Sequence, residues 1–290
     1  MSNYGRIGVQ AGVTVPYYEY GPGNAAQDLY WNYNTEGNAM VPVWNGSGWT
    51  DTPVAPGLAL NLAGLSGTFD LKYNPTQGFF VGPAWLLPNG RGETLQTVQG
   101  KLCDSNHNAV IASFGLQGTG QLYWVTRPNL VIGGSPTYVN LTNILNRMPV
   151  ETQIQCANLT WDYASGTVRL VLGNENFSCF YIDPTGDVYV EAEYNSTFSG
   201  AGGAQTAATV GVAWDGLPSN FPPNFNSLTQ SATTSGAVGS PVSGKCNSQI
   251  NFKGANSFGE HFVQAYEMCD SAGGTFYGTQ YSTFKVKLWI

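Results

Sequence analysis

The end of the chain constrains the fold most. From Phe284 onward apolar residues recur at every second position, Phe284, Val286, Leu288 and Ile290, with Lys285, Lys287 and Trp289 between them. That is the period of a strand with one buried face. Within residues 261–268, Phe262, Tyr266 and Met268 share a second alternating face, interrupted by Gln264. The expectation is two strands that close one sheet, and an apolar face at a chain end needs a partner sheet to keep it from fraying.

The rest of the chain supports an all-β reading. Short alternating runs lie at residues 110–114, 121–125, 168–172, 179–182, 187–194 and 209–214, separated by turns, and no long helical period intervenes. Residues 58–62 and 69–73, joined through Gly64 and Gly67, read as a hairpin. Residues 142–147, stopped by Pro149, are the one helical turn expected. Residues 217–244, with Pro218, Pro222, Pro223 and Pro241 among Ser, Thr and Gly, read as a long loop. With 37 Gly, 13% aromatic and only 10% charged residues, the composition favours short strands joined by many loops and surfaces that pack into a larger assembly. The expected fold is an antiparallel β-sandwich, jelly-roll-like, over residues 53–290, preceded by an extended arm over residues 1–52.

That arm opens with alternating Ile7, Val9, Val13 and Val15, ended by Pro16, the pattern of an edge strand or of an arm added to another subunit's sheet. Residues 17–49 then carry Tyr17, Tyr18, Tyr20, Tyr30, Trp31, Tyr33, Trp44 and Trp49 among turn formers. Such rings serve as a plug at one end of the sandwich, as a protein interface, or as a sugar-stacking surface.

Several functional classes are disfavoured. A net charge of −7 with 11 Lys plus Arg gives no basic stretch to track a phosphate backbone, so nucleic acid is not an expected partner. No window supplies the roughly 18 apolar residues of a membrane helix, and no apolar signal core follows Met1, so membrane insertion is not expected. The five cysteines, Cys103, Cys156, Cys179, Cys246 and Cys269, are widely spaced, odd in number and without a CxxC or His/Cys cluster, which fits buried free thiols better than disulfides or a metal site. Asn-x-Ser/Thr triplets at Asn45, Asn140, Asn158, Asn176 and Asn195 are what chance yields in so Asn-, Ser- and Thr-rich a chain.

The best catalytic candidate is an acidic stripe. On a strand over residues 187–194, Asp187, Tyr189, Glu191 and Glu193 share a face, with carboxylates about 6.5 Å apart, and paired carboxylates suit glycoside hydrolysis. The Glu-Asp-Glu spacing of sandwich glycosidases is not reproduced, so a solvent-facing stripe is the simpler meaning. Residues 183–187 have the composition of a turn rather than a calcium loop. Glu260 and His261, adjacent on a strand, point to opposite faces. No catalytic, cofactor-binding or metal residue is therefore assigned, no cofactor is expected, and the chain is expected not to be an enzyme.

A series of landmarks resembles a family of β-rich virion-surface domains of tailed bacteriophages and prophages, of the tail fibre and tail spike type. They are residues 58–65 with Phe69-Asp70, Gly82-Pro83-Ala84-Trp85 with Arg91, residues 99–102, residues 146–149 and residues 210–212. The last and most specific set is Gly259, Phe262, Gln264-Ala265, Glu267, Thr275-Phe276-Tyr277-Gly278 and Trp289. The resemblance spans about residues 55 to 290 and lacks a basic pair expected near residues 110–115. It implies a structural virion protein, a tail fibre or spike subunit made in the bacterial host cytoplasm, homo-oligomeric as a trimer. The partners it implies are other virion proteins, reached through the N-terminal arm, and a host surface glycan. A capsid decoration or head-fibre protein, a polysaccharide-degrading spike using Glu191 and Glu193, and a glycan-binding module using Trp44 or Trp49 are the alternatives.

Overall fold

The computed structural model describes residues 3–8, 19–20, 28–86, 90–116, 124–125, 130–132, 136–200, 206–216, 229–236, 242–251, 258–269 and 273–290. The described chain is almost wholly strand, and its only helical pieces are two single 3-10 turns, Val171–Gly173 and Glu175–Phe177. The expected continuation of the N-terminal strand to Val15, and most of the rings between residues 17 and 27, lie outside the described residues.

Two large sheets face each other. One is five-stranded, in the order Leu130–Ile132, Pro149–Tyr163, Gly274–Trp289, Tyr189–Gly200 and Val242–Asn251. The other runs Glu19–Tyr20, Trp124–Val125, Thr137–Val139, Ser178–Asp183, Gly259–Cys269, Thr206–Trp214 and Thr229–Gly236, with Arg169–Leu170 added beside Gly259–Cys269. Pairing is antiparallel except for Leu130–Ile132 with Pro149–Tyr163 and Thr137–Val139 with Ser178–Asp183, which are parallel.

The two C-terminal strands therefore do not close one sheet. Gly259–Cys269 and Gly274–Trp289 sit centrally in opposite sheets. The last strand behaves as its alternation requires, with Phe284, Val286, Leu288 and Ile290 at 1% exposure or less. On Gly259–Cys269 it is instead the odd positions Val263, Ala265 and Cys269 that join the central core. Tyr266 and Met268 are buried on the other face, and Phe262 is half-buried there. Both faces are covered, so the expected face assignment is reversed.

Three further sheets complete the body. Gly67–Asn74 and Ala109–Leu116 lie at the heart of a six-stranded one that also holds Gly78–Val81, Gln96–Val98, Lys101–Cys103 and Leu141–Asn143. Residues 142–147 thus begin as a strand rather than a helical turn: Thr142 donates to the Ile182 carbonyl at 2.6 Å, holding the backbone extended. The hairpin expected from residues 58–73 does not form. Gly57–Leu60 pairs instead with Leu29–Asn32, itself paired with Arg6–Gly8, because Leu62 is drawn into the core and a turn from Leu62 to Leu65 redirects the chain. The Ser- and Thr-rich stretch 217–244 is not one long loop either, since Thr229–Gly236 pairs with all of Thr206–Ala213. Backbone pairing along its whole length sustains that strand without an apolar pattern in the sequence.

The described part of residues 1–52 packs on this body. Ile7, Leu29, Trp31 and Val41 belong to the same core cluster as Phe114, Leu141 and Phe284, and the Asn143 side chain accepts from Ile7 N at 2.7 Å while donating to Ile7 O at 3.1 Å. The strand Trp49–Pro53 spans the expected boundary at residue 52 and pairs with Met40–Trp44.

Two buried polar knots hold the layers. On Gly67–Asn74, Phe69 and Leu71 face the core while Asp70 and Lys72, 1% and 3% exposed, are covered by Trp85, Arg91 and Glu93. Lys72 Nζ lies 2.8 Å from Asp104 and 2.9 Å from Glu93. Asp70 accepts from Ser113 Oγ, Trp85 Nε1 and Arg91 Nε, and the Arg91 guanidinium is held between the rings of Trp85 and Phe258 at 4.8 and 4.9 Å. In the second knot the fully buried Glu267 takes Trp161 Nε1 from the facing sheet at 2.9 Å, together with Arg169 Nε at 2.9 Å and Leu172 N at 3.2 Å. A buried carboxylate is tolerable only when so satisfied.

Candidate functional site

The acidic stripe is tied into the sheet. Asp187 does not lie on the strand, which begins at Tyr189. It sits in the preceding turn, paired with Arg147 at 2.6 Å. That turn is organised by Asp183, whose carboxylate accepts from the backbone N–H of Thr185, Gly186, Asp187 and Val188. A carboxylate already facing four amide donors is a turn cap, as the composition of residues 183–187 implied. Glu191 and Glu193 stand opposite Lys287 and Lys285 on the neighbouring strand, and their carboxylates accept from Tyr189 Oη at 3.1 Å and Asn195 Nδ2 at 2.7 Å. Opposite charges in register on neighbouring strands favour the pairing of the sheet.

The rings of Trp44 and Trp49 are likewise engaged. Trp44 stacks on His107 at 4.5 Å and 11° and meets Trp49 edge-on at 5.3 Å, while Trp49 Nε1 donates to the Val98 carbonyl at 2.8 Å. These contacts fasten the Met40–Trp44/Trp49–Pro53 hairpin to the six-stranded sheet.

Of the four described cysteine side chains, Cys103, Cys156, Cys179 and Cys269, all are buried free thiols. The side chain of Cys246 lies outside the described residues. No group of three or more His, Cys, Asp or Glu side chains suited to a metal ion occurs among the described residues, and no described helix is long and apolar enough to cross a membrane.

The recessed surface with the most distinctive lining lies where the six-stranded sheet meets the outer face of the larger one. Tyr138, Phe180 and Phe262 come from three adjacent strands and are in register, Tyr138 opposite Phe180 and Phe180 opposite Phe262. Their strand neighbours Val139, Cys179, Tyr181 and Val263 point into the core, so the three rings project outward, all half-buried. Tyr138 and Phe180 stack at 5.0 Å and 15°, and Phe180 and Phe262 tilt at 5.5 Å and 40°. The groove beside them has a volume of about 400 Å³ and is walled across from the rings by Gly67, Thr68, Gly115 and Leu116. A Cβ on Gly115 would lie 2.9 Å from Ile182 Cδ1.

Polar groups stand among the rings. Glu260 accepts from Thr68 Oγ1 at 2.5 Å, bridging the two sheets at the groove. The Asn140 side chain, 9% exposed, also lines it. At the floor His261 Nδ1 lies 2.6 Å from Asp215 Oδ2, its ring stacks on Trp214 at 4.9 Å, and Trp214 Nε1 donates to Tyr181 Oη at 2.8 Å. Asp215 adopts φ +49° and also accepts from Phe262 N at 2.9 Å, so it is locked to the start of that strand. Glu260 and His261 thus do point apart, each with its own partner. The ring row was hidden in the sequence, since Tyr138, Phe180 and Phe262 are far apart in the chain and only the lateral register unites them.

No family model matches the chain, and no curated protein does. Among solved structures, similarity is found to a chain in the structure of infectious bursal disease virus Gx strain, at 12% identity and TM-score 0.32, covering 98% of this chain and 70% of that one. A chain of the T13 infectious bursal disease virus particle gives 12% identity and TM-score 0.27 over 86% of this chain and 66% of that one. Tripeptidyl peptidase 2 gives 13% identity and TM-score 0.18 over 98% of this chain and 20% of that one. Two of the three are virus-particle structures, and all three scores are too low to carry an argument about function.

Proposed function

We propose that this protein is a structural component of a tailed-bacteriophage virion, a tail fibre or spike subunit that joins the particle and contacts the host, and that it acts without catalysis. The observation that carries the reading is how its charged groups are used. Lys72, Arg91, Arg147, Arg169 and His261 each face a carboxylate of the same chain, which consumes them in architecture, while the distinctive recess is aromatic. The residues behind the sequence resemblance have architectural roles in the same sense. Trp85 and Arg91 bind Asp70, and Glu267 clamps Trp161 of the facing sheet. Gly278 admits the Asn158 carbonyl, which would lie 1.7 Å from a Cβ.

The docking role proposed for residues 1–52 needs a gentler probe than deletion, because Ile7, Leu29, Trp31 and Val41 are core residues and removing them would unfold the body. Tyr33, 44% exposed, is a suitable surface position. The test is whether the protein co-purifies with intact particles and where immunogold labelling places it. Label at the tail supports the reading, label over the head replaces it with a decoration or head-fibre role, and absence from particles refutes both. Light scattering of the purified chain decides the proposed trimer.

A further inference from the structure

We infer that Lys72 and Asp104 close an intramolecular amide bond, Nζ to Cγ, with Glu93 carrying the protons, so that the folded chain cross-links itself. The bond would join the Gly67–Asn74 strand to the turn that follows Lys101–Cys103. It is a modification of the folded chain and stands apart from the virion reading.

The three groups meet where little water reaches. Lys72 and Asp104 are 3% and 6% exposed, and the Phe80 ring lies 5.2 Å from Lys72 Nζ. Nζ is 2.8 Å from Asp104 Oδ2 and 2.9 Å from Glu93 Oε2. The carbon to be attacked is one bond beyond Oδ2, so nucleophile and electrophile are already held together, which replaces a bimolecular encounter. Asp104 Oδ1 accepts from the backbone N–H of Asn106 at 2.9 Å and of Asn108 at 3.0 Å. Those two donors face the oxygen on which negative charge gathers when Nζ adds to Cγ, as an oxyanion hole does. Glu93 Oε1 is buried and has no hydrogen-bond partner among the described residues. An acceptor left unpaired in the interior is costly in a purely structural ion pair, whereas a proton carrier beside the amine has a use for it. Gly82 makes the room, because a Cβ there would lie 2.5 Å from Glu93 Oε1 and 3.2 Å from Lys72 Cε.

The reaction balances without a further reactant. Burial favours the neutral amine and acid, although pairing with each other and with Glu93 and Asn108 holds the resting groups charged. Nζ gives a proton to Glu93 and adds to Cγ, moving an electron pair onto Oδ1. The Cγ–Oδ2 bond then breaks as Oδ2 takes up two protons that began on Nζ and leaves as water. One hydrogen stays on the amide, nothing is oxidised or reduced, and Glu93 ends as it began. The joined residues are 32 apart in sequence, and Ala109–Leu116 lies between their strands in the sheet. Such a link restrains the unfolded chain as a disulfide would, in a chain whose described cysteines are all free. The titration of Lys72 and Asp104 belongs to the chain before the bond closes and is absent afterwards.

The experiment is intact mass spectrometry of the full chain, incubated folded at neutral pH and read in denaturant. The expected mass is lower than the sequence mass by one water, and a tryptic digest should give a branched peptide that holds Lys72 and Asp104 and is uncut after Lys72. Lys72→Arg, which keeps the charge, should show its full mass, and so should parent chain kept unfolded in urea. Glu93→Gln should slow the loss of water roughly a hundredfold. A full sequence mass in the folded parent after prolonged incubation overturns the inference and leaves an ordinary buried ion pair. Loss of water that persists in Lys72→Arg, or that maps to other residues, overturns it as well, and an unslowed loss in Glu93→Gln overturns the role of Glu93. Should a variant fail to fold, the parent's mass and branched peptide decide the bond by themselves.

Discussion

The replacement Asp70→Asn tests how far the buried polar knot, rather than the apolar core alone, holds the six-stranded sheet together. It keeps the size of the side chain and changes only its hydrogen-bonding character. Asp70 is 1% exposed and acts purely as an acceptor, Oδ1 from Ser113 Oγ at 2.5 Å and Oδ2 from both Trp85 Nε1 at 3.1 Å and Arg91 Nε at 2.8 Å. An Asn can present its oxygen to only one side. With the oxygen toward Ser113, the NH₂ meets two donors; flipped, it meets the hydroxyl and leaves Ser113 to rotate. Loss of an acceptor for a buried neutral donor costs about 1–3 kcal/mol, which applies to Trp85. Removing one partner of a buried ion pair costs about 3–5 kcal/mol, but Arg91 keeps some exposure, its bond to the Pro184 carbonyl and its place between two rings. Discounting the ion-pair loss accordingly gives about 3–4 kcal/mol for Asp70→Asn, close to the cost of Asp70→Ala. Urea unfolding followed by tryptophan fluorescence measures it, with the midpoint falling and the slope unchanged if the native and unfolded surfaces are preserved. The double variant Asp70→Asn with Arg91→Leu should lose less than the sum of the two single losses, because the orphaned cation is gone. If Asp70→Asn lies within about 1 kcal/mol of the parent, the acceptor-only reasoning is wrong, since that is no more than a single neutral hydrogen bond.

Further outcomes follow from other sites. Gly278→Ala should cost about 3 kcal/mol or more by overpacking, since its Cβ would lie 1.7 Å from the Asn158 carbonyl, whereas Gly57→Ala, with nothing within 4 Å, should cost little; equal midpoints for the two in urea would contradict this. Burial pushes the Glu267 carboxyl up, against the pull of Trp161 and Arg169, so the folded chain holds that proton more tightly than the unfolded one. Its contribution then declines as pH rises from 4.5 through the folded value; Glu267→Gln should flatten the decline, and an unchanged stability profile would refute the assignment. At Asp104 burial alone raises the carboxyl, but the bonds from Lys72 and Asn108 outweigh it and hold it low, so its contribution is present above the ordinary carboxylate range and is lost as pH falls through the folded value. At Lys72 burial lowers the ammonium, but Asp104 and Glu93 bring it above 10.5, so its contribution is intact below 10.5 and is lost as pH rises through the folded value. Unfolding midpoints across both limbs, compared with Asp104→Asn, check the two signs together. Cys103, Cys156, Cys179 and Cys269 should resist a thiol reagent in the native chain and react in denaturant, as mapped by mass spectrometry. Rapid native labelling of Cys179, whose thiol full burial pushes up, would count against this packing.

What the sequence made legible, and what it hid, divides along one physical line. Period-2 alternation reports which side chains of a strand are buried together, so Phe284 to Ile290 were readable, as was the all-β class. It does not report which strand lies beside which, because lateral pairing is set by long-range contacts that leave no local mark. Hence residues 261–268 and 284–290 look like one hairpin but occupy opposite sheets, and residues 58–62 and 69–73 look paired but join different ones. A strand buried on both faces also defeats alternation. On Gly259–Cys269 both rows are apolar or neutralised, and the polar residue that matters most, Glu267, sits deepest because Trp161 and Arg169 meet it there. The same line separates the two candidate sites. The acidic stripe was visible because its members are two residues apart, and what the sequence did not show is that the register sets Lys287 and Lys285 opposite Glu191 and Glu193. The ring row was invisible because its members lie 42 and 82 residues apart, from Tyr138 to Phe180 and from Phe180 to Phe262, and yet the register gathers them at the groove. In a sandwich of this kind, local spacing marks how the sheet is solvated, while a recessed surface is created by the pairing of distant strands.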